Sequence, residues 1–412
     1  MAKNIVICSD GTGNTFAKQI SNVTRLIKSV RLDNPVKQVV CYDQGIGTNP
    51  KLVEKVKAFK KEPGVKRDGL IILPKPTYKY IEPISRLGGL LVGTGFPDNL
   101  KEMYQELAKL YEGEQDQIYL FGFSRGAFTV RALAGLVYRC GLPSQQIADN
   151  SIDFDKFFAT AYKLYEPHSN DEANKKLIQE YKDRYQVREC QIHFLGIWDT
   201  VKSYGGVDPI SLPHLRHNPI VKKICHALAI HEHRAWFVHT TWGWLDCDLK
   251  NQSCIEPDGF DNRFQEQEIK EVWFRGYHSD VGGGDDEERT AEVPLRWMLR
   301  EASNSGLLLN ETGQSIILSE DSKADSLLEL HESRSKGWPI SDYIPRRVLN
   351  NENRASDCGP TKKLTCKPSG TRPLDKFRRK GFICLHSSVG SDLGLQNVYH
   401  ENMTFFPHKG WQ

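Results

Sequence analysis

Two rhythms of apolar residues open the chain. Ile5-Val6-Ile7-Cys8 and Val39-Val40-Cys41-Tyr42 are short unbroken runs, and between them Ile20, Val23, Leu26, Ile27 and Val30 recur at spacings of three and four. An unbroken run suits a strand buried on both faces, and the three-and-four spacing lays one apolar stripe along a helix, so the segment predicts a strand–helix–strand unit. The alternation returns beyond residue 98: a helix around 100–112, a strand over 117–121, a helix over 127–139, amphipathic helical sequence over 151–186, and strands over 191–197 and 271–274. Strands alternating with helices predict an α/β fold with a mostly parallel central sheet and helices on both faces. Residues 44–98 break the pattern with Lys51, Lys55, Lys57, Lys60, Lys61 and Lys66, several prolines and the run Gly88-Gly89-Leu90-Leu91-Val92-Gly93, and are read as an insertion. Residues 1–305 are expected to form one catalytic domain, and 306–412, weaker in period, a C-terminal extension packed on the same domain.

Composition narrows the class. The 412 residues carry 39% hydrophobic and 26% charged residues, and no run reaches the roughly 18 apolar positions of a membrane-spanning helix. Lys and Arg number 55 against 52 Asp and Glu, a net +3, so no overall basic surface argues for nucleic acid. The first residues, Met-Ala-Lys-Asn before Ile5, lack a basic segment followed by a long apolar stretch, which predicts cytoplasmic synthesis without a signal peptide. The ten cysteines form no C-x-x-C pair and read as reduced structural thiols rather than zinc ligands.

Chemistry enters at Gly122-Phe123-Ser124-Arg125-Gly126, a Gly-x-Ser-x-Gly between an apolar strand and a helix. In that context the turn is so tight that side chains two residues either side of the serine would clash, and the strained backbone lifts the hydroxyl over the sheet edge. The same turn in a glycine-rich loop without strand and helix would be a chance match. Ser124 is therefore the candidate nucleophile, with the backbone N–H of Arg125 aimed at a developing oxyanion from the helix N-terminus. A second oxyanion donor is expected from the glycine turn after the first strand, at Gly11 or Thr12. A phosphate-binding reading of that turn fails, because no Lys-Ser/Thr follows and no third glycine stands at dinucleotide-binding spacing.

A serine hydroxyl needs a histidine to take its proton and a carboxylate to orient that histidine, in the chain order Ser, Asp or Glu, His for an α/β-hydrolase. Asp199, after the strand ending at Trp198, and His278, in Tyr277-His278-Ser279-Asp280-Val281-Gly282-Gly283-Gly284, meet that order. His386, after Phe382-Ile383-Cys384-Leu385, is the alternative base. His231 and His233 lie in a charged stretch and read as surface residues or core hydrogen-bonders. Asp280, Asp285 and Asp286 lack the spacing of an EF-hand loop, so neither a metal nor a cofactor is expected.

With these segments in view, the chain resembles the uncharacterised α/β-hydrolase family that includes the first group of type VI secretion phospholipase effectors. The likeness runs over roughly residues 4–305 and is carried by Cys8-Ser9-Asp10-Gly11-Thr12-Gly13-Asn14, Gly122 to Phe128, Gly196-Ile197-Trp198-Asp199-Thr200-Val201, Trp273 to Gly284 and Val293-Pro294-Leu295-Arg296-Trp297-Met298. The resemblance implies an α/β-hydrolase-like fold with insertions over the site, a triad of Ser124, Asp199 and His278, and hydrolysis of an acyl ester, with a phospholipid as substrate. It also implies peripheral membrane contact and export by a specialised secretion system. Two other readings stay open: an esterase or thioesterase on a soluble acylated substrate, and a hydrolase-like binding module without turnover. For a phospholipase, the lysines of the insertion would meet anionic head groups, and Leu90, Leu91, Val92 and Phe96 would form a lid; otherwise the lysines are a solvated face and the apolar residues a core element.

Overall fold

The computed structural model describes residues 2–11, 20–45, 59–61, 67–73, 95–166, 171–201, 212–215, 217–232, 234, 237, 240–242, 267–284 and 289–319, and the backbone of four short strands at 346–349, 362–365, 383–386 and 403–406. Its centre is a sheet built first from β1 (Asn4–Ser9), β2 (Gln38–Asp43), β3 (Leu70–Ile72), β4 (Gln117–Phe123), β5 (Ile192–Trp198), β6 (Val221–Ala229) and β7 (Glu268–Phe274). The antiparallel pair β8 (Arg346–Leu349) and β9 (Lys362–Thr365) stands apart, while β10 (Ile383–His386) and β11 (Met403–Phe406) lengthen the main sheet. Among the described residues the sheet has nine strands in the order β11-β10-β7-β6-β5-β4-β1-β2-β3, and every pairing in it is parallel.

The near-continuous apolar sequence of the inner strands follows from helices on both faces. Successive side chains of β1 divide between two cores: Ile5 and Ile7 join one, Val6 and Cys8 the other. The first core is closed by α2 (Phe96–Leu110), α3 (Arg125–Cys140) and α5 (Ser151–Tyr165), the second by α1 (Asn22–Ser29) and α8 (Arg289–Asn304). The remaining helices are α4 (Gln145–Asp149), α6 (Asp171–Tyr185), α7 (His278–Gly282) and α9 (Glu311–Leu318).

Three features differ from the sequence reading. The helical stretch expected over 151–186 is two helices, α5 and α6. β6 was not expected at all, because its run Ile224 to Ala229 follows Lys222 and Lys223 and contains His226. Within the insertion, β3 pairs in parallel with β2, and Phe96, considered for a lid, is buried at the start of α2 with its ring centroid 5.4 Å from that of Phe128. Leu90, Leu91 and Val92 lie outside the described residues.

The strand order reverses beside β1, whose neighbours are β2 on one side and β4 on the other. At such a switch point adjacent connections leave in opposite directions and open a crevice at the carboxyl ends of the strands, the usual ligand position in an open α/β sheet. Asp10 and Ser124 stand at those two ends.

Candidate active site

Ser124 follows β4 directly and caps α3, with φ 57° and ψ −119°. A non-glycine residue with positive φ is uncommon and costs energy, and here its backbone is held by the Ser124 N–H donating to the Trp198 carbonyl at 3.0 Å. A Cβ on Gly126 would lie 2.1 Å from the carbonyl oxygen of Ser9, and one on Gly122 would lie 2.6 Å from that of Gly126. Glycine at both positions lets α3 leave the sheet against β1, which puts the Ser124 hydroxyl above the strand ends.

The structure brings Ser124, Asp199 and His278 together. His278 Nε2 lies 2.8 Å from Ser124 Oγ, and His278 Nδ1 lies 2.6 Å from Asp199 Oδ2. Asp199 is fully buried with φ 36°; its Oδ1 accepts from the Ala229 N–H at 3.0 Å, and its own N–H donates to the Ala227 carbonyl at 2.8 Å. Burial pushes the His278 imidazole below its ordinary 6.5, against the upward pull of the Asp199 hydrogen bond and charge. The neutral ring is thus favoured, in the tautomer whose Nδ1–H faces the carboxylate and whose Nε2 lone pair faces the hydroxyl.

His278 begins α7, which is held from several sides. The Tyr277 N–H donates to Asp280 Oδ2 at 2.8 Å, and Asp280 Oδ1 accepts from the Thr290 hydroxyl at 3.0 Å. Asn22 Nδ2 donates to the Val281 carbonyl at 2.9 Å and to that of Ala291 at 2.8 Å, tying α1 to α7 and α8. Asp280, weighed in the sequence as a cation ligand, is a helix-capping residue in this geometry; Asp285 and Asp286 lie outside the described residues. Among the described residues no group of three or more His, Cys, Asp or Glu side chains is arranged to hold a metal ion.

The proposed oxyanion donors fare differently. Arg125 is the first residue of α3, the end at which helix amides lack acceptors within the helix. The Gly11 N–H, expected to face the oxyanion, instead donates to Asp10 Oδ1 at 2.7 Å. Asp10 is the hub of this corner: its Oδ2 accepts from Ser21 Oγ at 2.7 Å, Tyr42 OH at 3.0 Å and Thr24 Oγ1 at 3.1 Å. Thr12 lies outside the described residues. His386 ends β10, which pairs with β7 through Cys384 and Leu385; its side chain, like the whole of His233, is also outside them. His231 is half-buried, its Nδ1 accepting from the Gly276 N–H at 2.9 Å.

Sequence reading missed two further groups. His226, fully buried on β6, has Nδ1 2.8 Å from Glu271 Oε1 and Nε2 3.4 Å from the backbone nitrogen of Thr200, the residue after Asp199. Glu232 accepts from the backbone N–H of His278 at 3.2 Å. The unread strand β6 was the available signal for the first, since its pairing with β7 sets His226 opposite Glu271. The second sits in a charged run, His231 to Arg234, that carries no periodicity to separate it from a solvated face.

Residues 3–301 match the family described as "T6SS, Phospholipase effector Tle1-like, catalytic domain". An uncharacterized protein of Saccharomyces cerevisiae, YEL023C, is 28% identical over 243 residues, covering 57% of this chain and 32% of its own length. Solved structures also match. An uncharacterized protein from Pseudomonas aeruginosa has a TM-score of 0.37 at 19% identity, with 75% of this chain and 46% of that chain covered. The Tle1 effector bound to the VgrG spike from the Type 6 secretion system has a TM-score of 0.26 at 18% identity, with 69% and 51% covered. The matches span about a third to a half of these relatives' lengths. No helix among the described residues is long and apolar enough to cross a membrane.

Proposed function

Because the chain belongs to the Tle1-like phospholipase effector family through its catalytic domain, we propose that it is a serine hydrolase cleaving the acyl ester of a membrane phospholipid with Ser124, His278 and Asp199. The observation that carries this reading is the unbroken line from Asp199 Oδ2 through the imidazole to Ser124 Oγ, with contacts of 2.6 and 2.8 Å. Ser124 Oγ attacks the ester carbonyl as His278 Nε2 takes its proton, and Asp199 stabilises the imidazolium that forms. The Arg125 N–H supports the oxyanion, with Thr12 the expected companion now that Gly11 serves Asp10. Collapse of the intermediate breaks the ester C–O bond and returns the proton from His278 to the leaving alkoxide. Water, deprotonated by the same imidazole, then cleaves the acyl-enzyme to release the fatty acid and restore Ser124. Residues 1–305 would form the catalytic domain, and the pairing of β10 on β7 supports a C-terminal extension belonging to the same body. Export by a specialised secretion apparatus and peripheral contact with a membrane follow the family and are part of the proposal.

The test pairs a fluorophosphonate label with liposomes. Wild-type protein should be labelled and release fatty acid from phosphatidylglycerol-containing vesicles, and Ser124→Ala protein should do neither. Labelling of the folded Ala variant at the wild-type rate would overturn the nucleophile. Cleavage of soluble esters without release from vesicles would replace the phospholipid with a soluble acylated substrate.

A further inference from the structure

A second buried carboxylate stands beside the proposed triad and takes no part in it. The Glu232 side chain is fully buried, and a buried carboxylate is costly unless charge and hydrogen bonds compensate it. Glu232 has both. Its Oε1 accepts from the backbone N–H of Arg234 at 2.8 Å and from Arg234 Nε at 2.9 Å, and its Oε2 accepts from Arg234 Nη2 at 2.9 Å and from the His278 N–H at 3.2 Å. The two-pronged guanidinium pair fixes the carboxylate's plane as well as its charge. The Arg234 guanidinium carbon in turn lies 3.5 Å from the centroid of the Phe237 ring, and that ring stands edge-on to the His278 imidazole at 4.8 Å. Phe123 covers the imidazole from another side at 4.6 Å. The contacts close on themselves: His278 backbone, Glu232, Arg234, Phe237, His278 ring.

We propose that Glu232, Arg234 and Phe237 form a clamp of opposed charges that positions His278 and sets the pH range in which it serves as the base; the inference rests on the triad reading above. Glu232 is a positioning residue, because both ring nitrogens of His278 are already directed at Ser124 and Asp199 and the carboxylate meets His278 at its backbone N–H. Among the described residues, the groups acting on the imidazole include Ser124, Asp199 from the end of β5, and Glu232 and Arg234 from beyond β6. His231 faces the Gly276 N–H, and Asp280 on α7 faces Tyr277 and Thr290. Of the clamp's two charges, Arg234 favours the neutral ring and Glu232 the protonated one. The two charges act on the ring in opposite directions, so removing one or the other should shift it in opposite senses.

The test is the pH dependence of fluorophosphonate labelling, whose acidic limb reports the proton affinity of the base in the free enzyme. Glu232→Gln keeps an acceptor for the His278 N–H and removes the charge that favours the protonated ring, so the limb should move to lower pH by about half a unit or more. Arg234→Met keeps an apolar stem on Phe237 and removes the charge that favours the neutral ring, so the limb should move to higher pH, and Arg234→Lys should return it most of the way. Phe237→Ala should lower the plateau labelling rate about tenfold with little movement of the limb, as loss of positioning alone would. A merely structural role would lower rates without opposite shifts; limbs unmoved, or moved the same way, in folded Gln and Met variants would overturn the clamp. Should Glu232→Gln fail to fold, the Met and Lys variants of Arg234 decide alone, a limb that rises in one and returns in the other supporting the clamp and unmoved limbs refuting it. Labelling that persists in folded Ser124→Ala or His278→Ala protein would instead refute the triad, an outcome distinct from failure of the clamp.

Discussion

The two sides of the candidate site are built by different means. On the serine side, one stretch of seven strand residues, a strained Ser124 and the first turn of α3 define the geometry within about ten positions of sequence, and two glycines make the close approach to β1 possible. On the histidine side, nothing local suffices. His278 opens a five-residue helix held by Asn22, 256 positions earlier, by Glu232, 46 earlier, and by Asp199, 79 earlier. The serine is positioned by backbone sterics, which are rigid and insensitive to pH. The histidine is positioned by hydrogen bonds and charges among buried groups, which can be tuned but also lost one at a time.

The largest effect should come from joining the two sides. Ser124→Ala and His278→Ala should each reduce ester turnover by several orders of magnitude, on the order of 10³ or more, and the double variant should be little worse than either. Additive losses in steady-state assays would mean that the two sides do not act as one unit.

Breaking the serine side alone comes next. In Gly126→Ala the new methyl would meet the Ser9 carbonyl at 2.1 Å, so α3 or β1 must shift. The expected cost is about 2–3 kcal/mol of stability, with turnover down about a hundredfold because the hydroxyl moves with the helix. Denaturant midpoints and turnover measured on the same preparation test the link; wild-type turnover in this variant would show that the elbow tolerates displacement.

On the acid's support, Glu271→Gln removes the charge beside His226 while keeping its shape. Glu271 Oε1 also accepts from the Trp242 N–H at 2.7 Å, so the substitution should cost about 1–2 kcal/mol by chemical denaturation. Turnover should fall only a few-fold, since Asp199 keeps its own bonds to Ala227 and Ala229. A loss matching that of His278→Ala would promote the His226–Glu271 pair from support to machinery.

The smallest effect is on stability as pH falls, where the buried histidine of the site acts with two others. His193, His214 and His278 are all pushed below 6.5 by burial, His214 to about 3. Each is neutral in the fold where the unfolded chain would bind a proton. The unfolded state therefore binds more protons, and stability should fall as pH drops below about 6.5. A denaturant midpoint lower at pH 5 than at pH 7 is expected. An unchanged midpoint would show that these rings charge in place.

Sequence alone carried much of this protein. Unbroken apolar runs marked β1, β2, β4 and β5 because strands covered on both faces have no polar side, and the glycines of residues 122–126 marked the nucleophile because the turn excludes a Cβ there. Asp199 and His278 were legible through their places after strands and through family motifs. β6 and the split between α5 and α6 were not, since Lys222, Lys223 and His226 blur the apolar run of the one and helical sequence continues on either side of the break in the other. Only the tertiary structure decided that the Gly11 amide serves Asp10, that Phe96 belongs to the core, and that Glu232 from a charged run is buried against His278. Periodicity and turn sterics are local and can be read along a chain. Whether a polar group is buried, and which partner compensates it, depends on residues brought together only when the sheet closes over them.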